Sequence, residues 1–300
     1  VLLSMLGRVI YSFDDKYLLT ATFRRDGSSR FASSNRYGNF PSVAVGWNVY
    51  RESFFKSSGL ENVFSMLKLR GSYGVLGNQE IADYLYSSSI ANNINYVIGR
   101  DQHKWVGGIQ TKFATNNIKW ETTRTFNAGL DAAFLDNSLS FTLDLFDKRT
   151  HDILLEVPIP ISAGAEADPM VNAGKISNKG VEVGLNYYGS AGKLNYTVFG
   201  TASHVSNKVI ELGTGTQQIF GGVPAMHAAS TTIAQAGGVV GEFFLQKMLG
   251  ICQTEEEVLA HSKDGVLIQP NAKPGDMKYL DANGDGMISD LDRVNCGSPF

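Results

Sequence analysis

Between residues 121 and 207, apolar and polar side chains alternate in four segments, each roughly ten residues long. Phe126, Ala128, Leu130, Ala132 and Phe134 interleave with Thr125, Asn127, Gly129, Asp131 and Ala133. Leu139, Phe141, Leu143 and Leu145 interleave with Ser140, Thr142 and Asp144. Val181, Val183, Leu185 and Tyr187 alternate with Glu182, Gly184 and Asn186, and Leu194, Tyr196, Val198 and Ala202 with Asn195, Thr197, Thr201 and Ser203. A period of two puts neighbouring side chains on opposite faces of an extended chain, so each segment predicts a strand with one apolar and one polar face. Asp136-Asn137 joins the first pair, Gly189 to Gly192 the second, and a long Pro- and Gly-rich stretch separates the pairs. Short turn, long loop, short turn is the rhythm of an up-and-down membrane barrel.

The rhythm extends upstream. Val9, Tyr11 and Phe13 alternate with Arg8, Ile10 and Ser12, then Asp14-Asp15-Lys16 turns into Tyr17, Leu19, Ala21 and Phe23. Val43, Val45, Trp47 and Val49 form a third apolar row, and Leu67, Leu69, Tyr73 and Val75 a fourth, followed by a long polar stretch over residues 77–119. About eight strands result, each near the 9–11 residues that a tilted spanning strand needs. Facing Arg or Lys to lipid at the midplane costs about 2–4 kcal/mol. Arg24, Lys68, Arg70 and Asp144 all fall in the polar set, which is therefore expected to face a lumen. Aromatic residues gather beside the short connections, among them Tyr11, Phe13, Tyr17, Tyr50, Phe54, Phe55, Phe64, Phe134, Phe141, Tyr187, Tyr188 and Tyr196. They predict an interfacial belt on the periplasmic rim. A soluble sandwich would show the same alternation with its apolar faces buried; the loop asymmetry and the breadth of polar-face charge favour the barrel.

The pattern breaks after Asn207, which divides the chain into barrel strands (1–207) and a long extracellular loop region (208–300). In the latter, Thr254 and Glu257 have capping-box spacing before a short helix expected at 258–262. Residues 281–292 match the EF-hand-type string D-x-N-x-D-G at its first six positions. Oxygen ligands for Ca²⁺ would come from Asp281, Asn283, Asp285, the Met287 carbonyl, Ser289 and Asp292, with Gly286 permitting the sharp turn. Asp292 stands where Glu is usual, and its shorter reach weakens bidentate ligation. Pro274-Gly275 just upstream leaves no room for a preceding long helix, so the expected role is to pin an exposed loop.

Composition narrows the rest. A net charge of −3 with no basic stripe offers no nucleic-acid surface. Thirty-two glycines against eight prolines, with 11% aromatic residues, suit a turn-rich all-β protein. No run of 18 apolar residues predicts a membrane helix, which says nothing of a barrel. Cys252 and Cys296 are too isolated for a metal cluster and are expected to be unpaired. The five histidines show no ligand spacing, and nucleophile-elbow and phosphate-loop motifs are missing. Asp144 and Glu182 share the polar face on different strands, where solvated carboxylates need no catalytic explanation; no enzyme is expected. The start at Val1 inside an apolar strand and the stop at Phe300 without alternation are expected to be cut ends.

Six blocks resemble the SusC/RagA family of TonB-linked outer-membrane proteins from Bacteroidetes-type bacteria. They are residues 17–31 (YLLTATFRRDGSSRF), 40–47 (FPSVAVGW), 67–78 (LKLRGSYGVLGN), 120–131 (WETTRTFNAGLD), 172–182 (NAGKISNKGVE) and 274–297 (PGDMKYLDANGDGMISDLDRVNCG). The resemblance implies a transmembrane antiparallel β-barrel of roughly 22 strands with long extracellular loops, of which these would be about eight. It also implies a separate plug domain and final strands outside this chain, energy coupling through the TonB complex, and a SusD-like surface lipoprotein. The cargo would be oligosaccharides or peptides. Loops 77–119, 150–174 and 208–300 would dock the lipoprotein, and Trp105 and Trp120 would either stack on cargo or pack beneath the loops. The competing expectation is a soluble or surface-anchored Ca²⁺-dependent glycan-binding β-sandwich.

Overall fold

A computed structural model of the chain describes residues 1–83, 85–112, 114–157, 169–213, 218–221 and 230–298. The middle of the Pro-rich loop (158–168) and Phe300 lie outside the described residues. The chain divides into two compact units, Val1–Thr214 and Gly215–Phe300.

The first unit contains β1 (Leu2–Phe13), β2 (Tyr17–Ser28), β3 (Tyr37–Asn48), α1 (Ser53–Ser57), β4 (Phe64–Asn78), β5 (Ser89–Ile98), β6 (His103–Lys112), β7 (Glu121–Phe134), β8 (Leu139–Glu156), β9 (Met170–Ala191) and β10 (Leu194–Glu211). Eight of these strands make one antiparallel sheet ordered β1-β2-β3-β4-β7-β8-β9-β10. Each main strand thus pairs with its neighbour in the sheet order, and alternate connections gather at opposite ends. The two- to four-residue turns at 14–16, 135–138 and 192–193 share one end with the α1 connector; the longer connections at 29–36, 79–120 and 157–169 share the other. Asp14, Asp15, Leu135, Asp136 and Asn137 hold positive φ in the tight turns, mostly Asp and Asn, which tolerate that region best. The tight turn between β9 and β10 is narrower than Gly189 to Gly192 suggests, because pairing runs through Ala191 and leaves only Gly192 and Lys193 to turn.

Several strands exceed the length expected from alternation. β9 has 22 residues and β8 and β10 have 18 each. At about 3.3 Å per residue β9 runs roughly 70 Å, more than twice the ~30 Å hydrocarbon core of a bilayer. Alternation marks only the part with one apolar face, so the rest read as loop. β10 likewise continues to Glu211, with Val209 fully buried, four residues past the expected break at Asn207. The stretch at 77–119 is not simply loop: β5 and β6 form a separate hairpin. Asn92 and Asn95 interrupt its alternation, and register shifts at Ser89/Ile90 and Ala91/Ile94 break its period.

Register carries the two faces across the sheet. Phe13, Tyr17, Trp47, Leu69, Leu130, Leu143, Val183 and Ala202 lie opposite one another in one row. An adjacent row on the other face reads Ser12, Leu18, Gly46, Arg70, Gly129, Asp144, Glu182 and Ser203. The apolar face is uncovered: Val9 is 65% exposed, Val45 54%, Phe126 55% and Leu145 51%. A sandwich needs a second sheet over that face, so its exposure removes the sandwich reading.

A small core closes the long-loop end. Phe31, Phe40, Ile81, Ile118 and Trp120 pack together at 0–6% exposure, with Trp120 5.1 Å from Phe31 and 5.3 Å from Phe40 between ring centroids. Trp120 therefore packs beneath the loops, whereas Trp105 on β6 stays 56% exposed. At the opposite end the aromatic residues form chains of contacts: Phe13–Tyr17–Trp47–Phe54 and Phe55–Phe64–Phe134.

The second unit is more than a loop. β11 (Gln218–Gly221), β12 (Thr232–Gln235), β13 (Glu242–Gln246) and β18 (Arg293–Gly297) form a four-stranded sheet; β14 (Met248–Ile251) pairs with β17 (Met277–Tyr279), and β15 (Ser262–Lys263) with β16 (Val266–Leu267). Its helix α2 spans Glu255–Ala260 instead of 258–262, because the chain turns helical directly after the Thr254 cap. Thr254 Oγ1 accepts from Glu257 N at 3.3 Å, and Glu257 returns its carboxylate to Gln253 N at 2.8 Å, one residue earlier than a standard box. Cys252 is buried and Cys296 exposed, and both are free thiols.

Candidate functional site: the polar wall and the acidic loop

The polar face is organised by Arg70. Its Nε donates to both oxygens of Asp131 at 3.1 and 3.0 Å, and its two terminal nitrogens donate to the two oxygens of Asp144 at 2.7 Å each. One guanidinium thereby ties β4, β7 and β8 by paired charge-assisted bonds, the geometry in which Arg outperforms Lys. The three side chains are only 18–33% exposed. Alternation places Arg70 and Asp144 on this face but does not pair them. Nor does it show that Asp144 faces Glu182 across β8 and β9, an unfavourable pairing that Arg70 offsets. Toward β10 the face holds a hollow of about 400 Å³ lined by Ser140, Thr142, Asn186, Tyr188, Thr197 and Phe199.

The rim at the short-turn end is held by Glu52, which sequence pattern does not single out. Its Oε1 accepts from the Tyr17 hydroxyl at 2.7 Å and the Trp47 indole at 3.1 Å, and Oε2 lies 3.8 Å from Lys16 Nζ. The Tyr17 and Trp47 bonds, with Lys16 behind them, hold the Glu52 carboxyl below its usual range. Two aromatic rings on the apolar face thus present their polar tips to one carboxylate at the rim.

In the acidic loop, Asp281 Oδ1 accepts from Gly284 N (2.7 Å) and Asp285 N (3.1 Å), and Oδ2 from Gly286 N (2.9 Å). Asn283 Oδ1 accepts from Asp285 N at 2.8 Å, its Nδ2 donates to Asp285 Oδ2 at 2.9 Å, and Asp285 Oδ1 accepts from Met287 N at 2.9 Å. Gly284 and Gly286 supply the positive φ (72° and 87°) that this winding requires. Asp292 is fully buried and accepts from Ala282 N, Asn283 N and Ser289 N at 2.9, 3.3 and 2.7 Å. These backbone bonds, that from Ser289 first, hold its carboxyl below the ordinary range. Ser289 Oγ caps the following 3₁₀ turn by accepting from Leu291 N. The Met287 side chain is 62% exposed, and Lys263 Nζ donates to the Gly284 carbonyl.

Asp281, Asn283 and Asp285 are hard-oxygen donors of the type that Ca²⁺ takes, and in this loop their oxygens accept from backbone N–H groups and from the Asn283 amide. Asp292 is committed to backbone N–H groups and Ser289 to a cap, so the later positions fit less directly. Among the described residues, no group of three or more His, Cys, Asp or Glu side chains is set to hold a metal.

Comparison with known proteins agrees with this geometry. Residues 7–233 match the family model described as TonB dependent receptor-like, beta-barrel. The chain is 32% identical over 300 residues to TonB-dependent receptor P3 of Formosa agariphila, covering 99% of this chain and 29% of that protein. It is 39% identical over 186 residues to TonB-dependent receptor SusC of Bacteroides thetaiotaomicron, covering 62% of this chain and 18% of the relative. The structure of the RagAB peptide transporter superposes with a TM-score of 0.70 at 28% identity, over 84% of this chain and 26% of that one. The RagAB peptide importer in its closed-closed state gives 0.71 at 26% identity, over 93% and 30%. The chain thus spans less than a third of each of these relatives.

Proposed function

Since the chain belongs to the TonB-dependent receptor-like β-barrel family, we propose that it forms one arc of the wall of an outer-membrane transporter, with part of its cell-exterior loops. In this reading the apolar face meets outer-membrane lipid and the face carrying Arg70, Asp131 and Asp144 lines the lumen. The short turns face the periplasm and the long connections the exterior. The observation that carries it is the apolar row that crosses all eight strands from Phe13 to Ala202, with a charged row beside it on the opposite face. The protein acts in active uptake driven by the TonB complex, and not as an enzyme, in the outer membrane of a Bacteroidetes-type cell.

The cargo class is oligosaccharide or peptide. Likeness to the RagAB peptide transporter supports peptides, and the resemblance to the SusC/RagA family keeps oligosaccharides in view. A SusD-like lipoprotein docks on the long-loop end, where the β5–β6 hairpin exposes Ile94, Tyr96 and Trp105. Residues 208–300 stand outside the membrane, and Ca²⁺ pins their acidic loop through Asp281, Asn283, Asp285 and the Met287 carbonyl. Asp292 holds the loop from beneath, and Ser289 contributes through water.

Arginine at Leu143 and, separately, at Thr142 in the full-length protein tests the wall. Leu143→Arg faces lipid and costs about 2–4 kcal/mol near the midplane, so it reduces membrane insertion while Thr142→Arg does not. Equal tolerance of both overturns the reading.

A further inference from the structure

We propose that a basic patch on the outward face of β7–β10, where the apolar rows end toward the long connections, binds the phosphorylated sugar headgroup of an outer-leaflet glycolipid. The inference rests on the outer-membrane reading above and concerns charged side chains that the transport reading leaves unused.

On each of these four strands the outward row ends in charge. Alternation carries β7 from Phe126 to Arg124, β8 from Leu145 to Asp147 and Arg149, β9 from Val181 to Lys179, and β10 past Ala202 to Lys208. Register draws these residues together. Arg124 lies directly opposite Arg149, Ser177 separates Arg149 from Lys208, and Lys179 lies opposite Asp147. From Phe134, in the aromatic chain of the short-turn end, β7 rises roughly 33 Å to Arg124, which a tilt of about 40° reduces to ~25 Å. That is the height of a barrel's apolar band, so the patch stands at its exterior border.

Cations outnumber carboxylates there. Asp147 accepts from Arg149 at 3.1 and 2.8 Å and lies 3.5 Å from Lys179 Nζ, so one carboxylate is shared by two cations. Arg124 and Lys208 are exposed and make no ion pair among the described residues. Lys175 and Glu211, one step further out, neutralise each other. Like charges directly opposite destabilise a strand pair, so Arg124 facing Arg149 is a cost that an anion between them removes. The short-turn end is different: Lys16 meets Asp14 and Glu52, and Arg51 meets Asp15. A surplus of cations at the exterior border alone fits a membrane whose outer leaflet is built of phosphorylated glycolipid. Phosphate oxygens accept from an arginine fork and from a lysine ammonium. Arg124 and Lys208 stand three strand spacings apart, roughly 14 Å. A phosphorylated sugar headgroup spans that distance, and a single inorganic phosphate does not.

The test reconstitutes the full-length receptor in phosphatidylethanolamine vesicles containing lipid A and re-extracts it in mild detergent. Native mass spectrometry then counts the lipid A retained. The double variant Arg124→Gln/Lys208→Gln should retain about tenfold less or lower still. Lys148→Gln, on the lumen face beside Arg149, should match wild type. Lipid A stripped of its phosphates should be held by wild type as poorly as intact lipid A is by the double variant. Heat-modifiable gel migration reports the folded barrel separately. A folded double variant with undiminished lipid A overturns the site and leaves the transporter reading intact, as does equal retention of the phosphate-free glycolipid. Displacement of lipid A by millimolar inorganic phosphate would overturn the glycolipid assignment and mark a site for free anions. Wild-type receptor that fails to enter the vesicles overturns both readings.

Discussion

The Arg70 guanidinium crosses the bare backbone of Gly129. A Cβ on Gly129 would stand 2.7 Å from Arg70 Cζ and 2.9 Å from its Nε. The two residues face each other across β4 and β7, and Asp144 lies opposite Gly129 on the next strand. The missing side chain is what lets an arginine reach over one strand to a carboxylate on the second. Gly129→Val should push the guanidinium aside and lower barrel stability by about 1–3 kcal/mol, the usual cost of overpacking. Arg70→Lys should lose the bidentate contact to Asp144 while leaving Gly129 uncrowded. Urea titration of the folded barrel in detergent measures both, and an unchanged midpoint in Gly129→Val would refute the arrangement.

The rim is expected to loosen in acid. The folded Glu52 carboxyl titrates below its ordinary value of 4.5. A depressed carboxylate contributes stability that is complete above the unfolded value and is lost as pH falls through the folded one. Rim stability should therefore hold above about pH 4.5 and decline below it. Trp47 fluorescence reports the change in a protein whose other two tryptophans are replaced, and Glu52→Gln should flatten the curve.

Calcium should bind the acidic loop in the chelator-treated full-length protein, with Asp281→Ala abolishing the calorimetric heat. Lys263→Gln should tighten binding several-fold by removing a cation from the loop. No heat at millimolar Ca²⁺ would dismiss the site. Independently of metal, the amides of Ala282, Asn283 and Ser289 should lose hydrogen-exchange protection as pH falls below the ordinary Asp value of 3.8 and through the lower folded one.

The small core at the long-loop end should be sensitive to volume in both directions. Trp120→Ala removes a side chain that is 6% exposed and should cost about 3–5 kcal/mol locally. Gly77→Val should also disrupt it, since a Cβ there would fall 2.0 Å from Phe40 Cζ. Faster proteolysis of residues 79–120, with the strands still resistant, is the expected readout.

Lipoprotein docking should depend on the exposed face of the β5–β6 hairpin. Trp105→Ala should weaken binding of the lid protein by about tenfold or more, as loss of an aromatic anchor does. Lys104→Ala, on the opposite face of that hairpin, should leave it nearly unchanged. Equal effects would move the interface elsewhere.

How much of the fold is legible in the sequence depends on the range of the interaction. The faces of β7 and β8 follow from adjacent residues, so alternation alone puts Leu143 and Thr142 on opposite faces. The winding of residues 281–287 is similarly local, because Asp281 bonds to amides three to five residues away. The β5–β6 hairpin is not legible in the sequence, because polar asparagines and bulges break its period. The long outer parts of β8 to β10 are not legible either, because a strand without one apolar face looks like loop.

Sequence by itself determined which residues share a face and which connections are long, since a period of two and a turn-forming run are properties of neighbouring residues. Tertiary structure alone decided who meets whom across the wall. Arg70 and Asp144 are 74 residues apart and Tyr17 and Glu52 are 35 apart. Their meeting depends on the register of the intervening strands, and a slip of one residue would turn Arg70, Asp144 or Tyr17 to the other face. That register is set by hydrogen bonding and by the turns together, which no local pattern encodes.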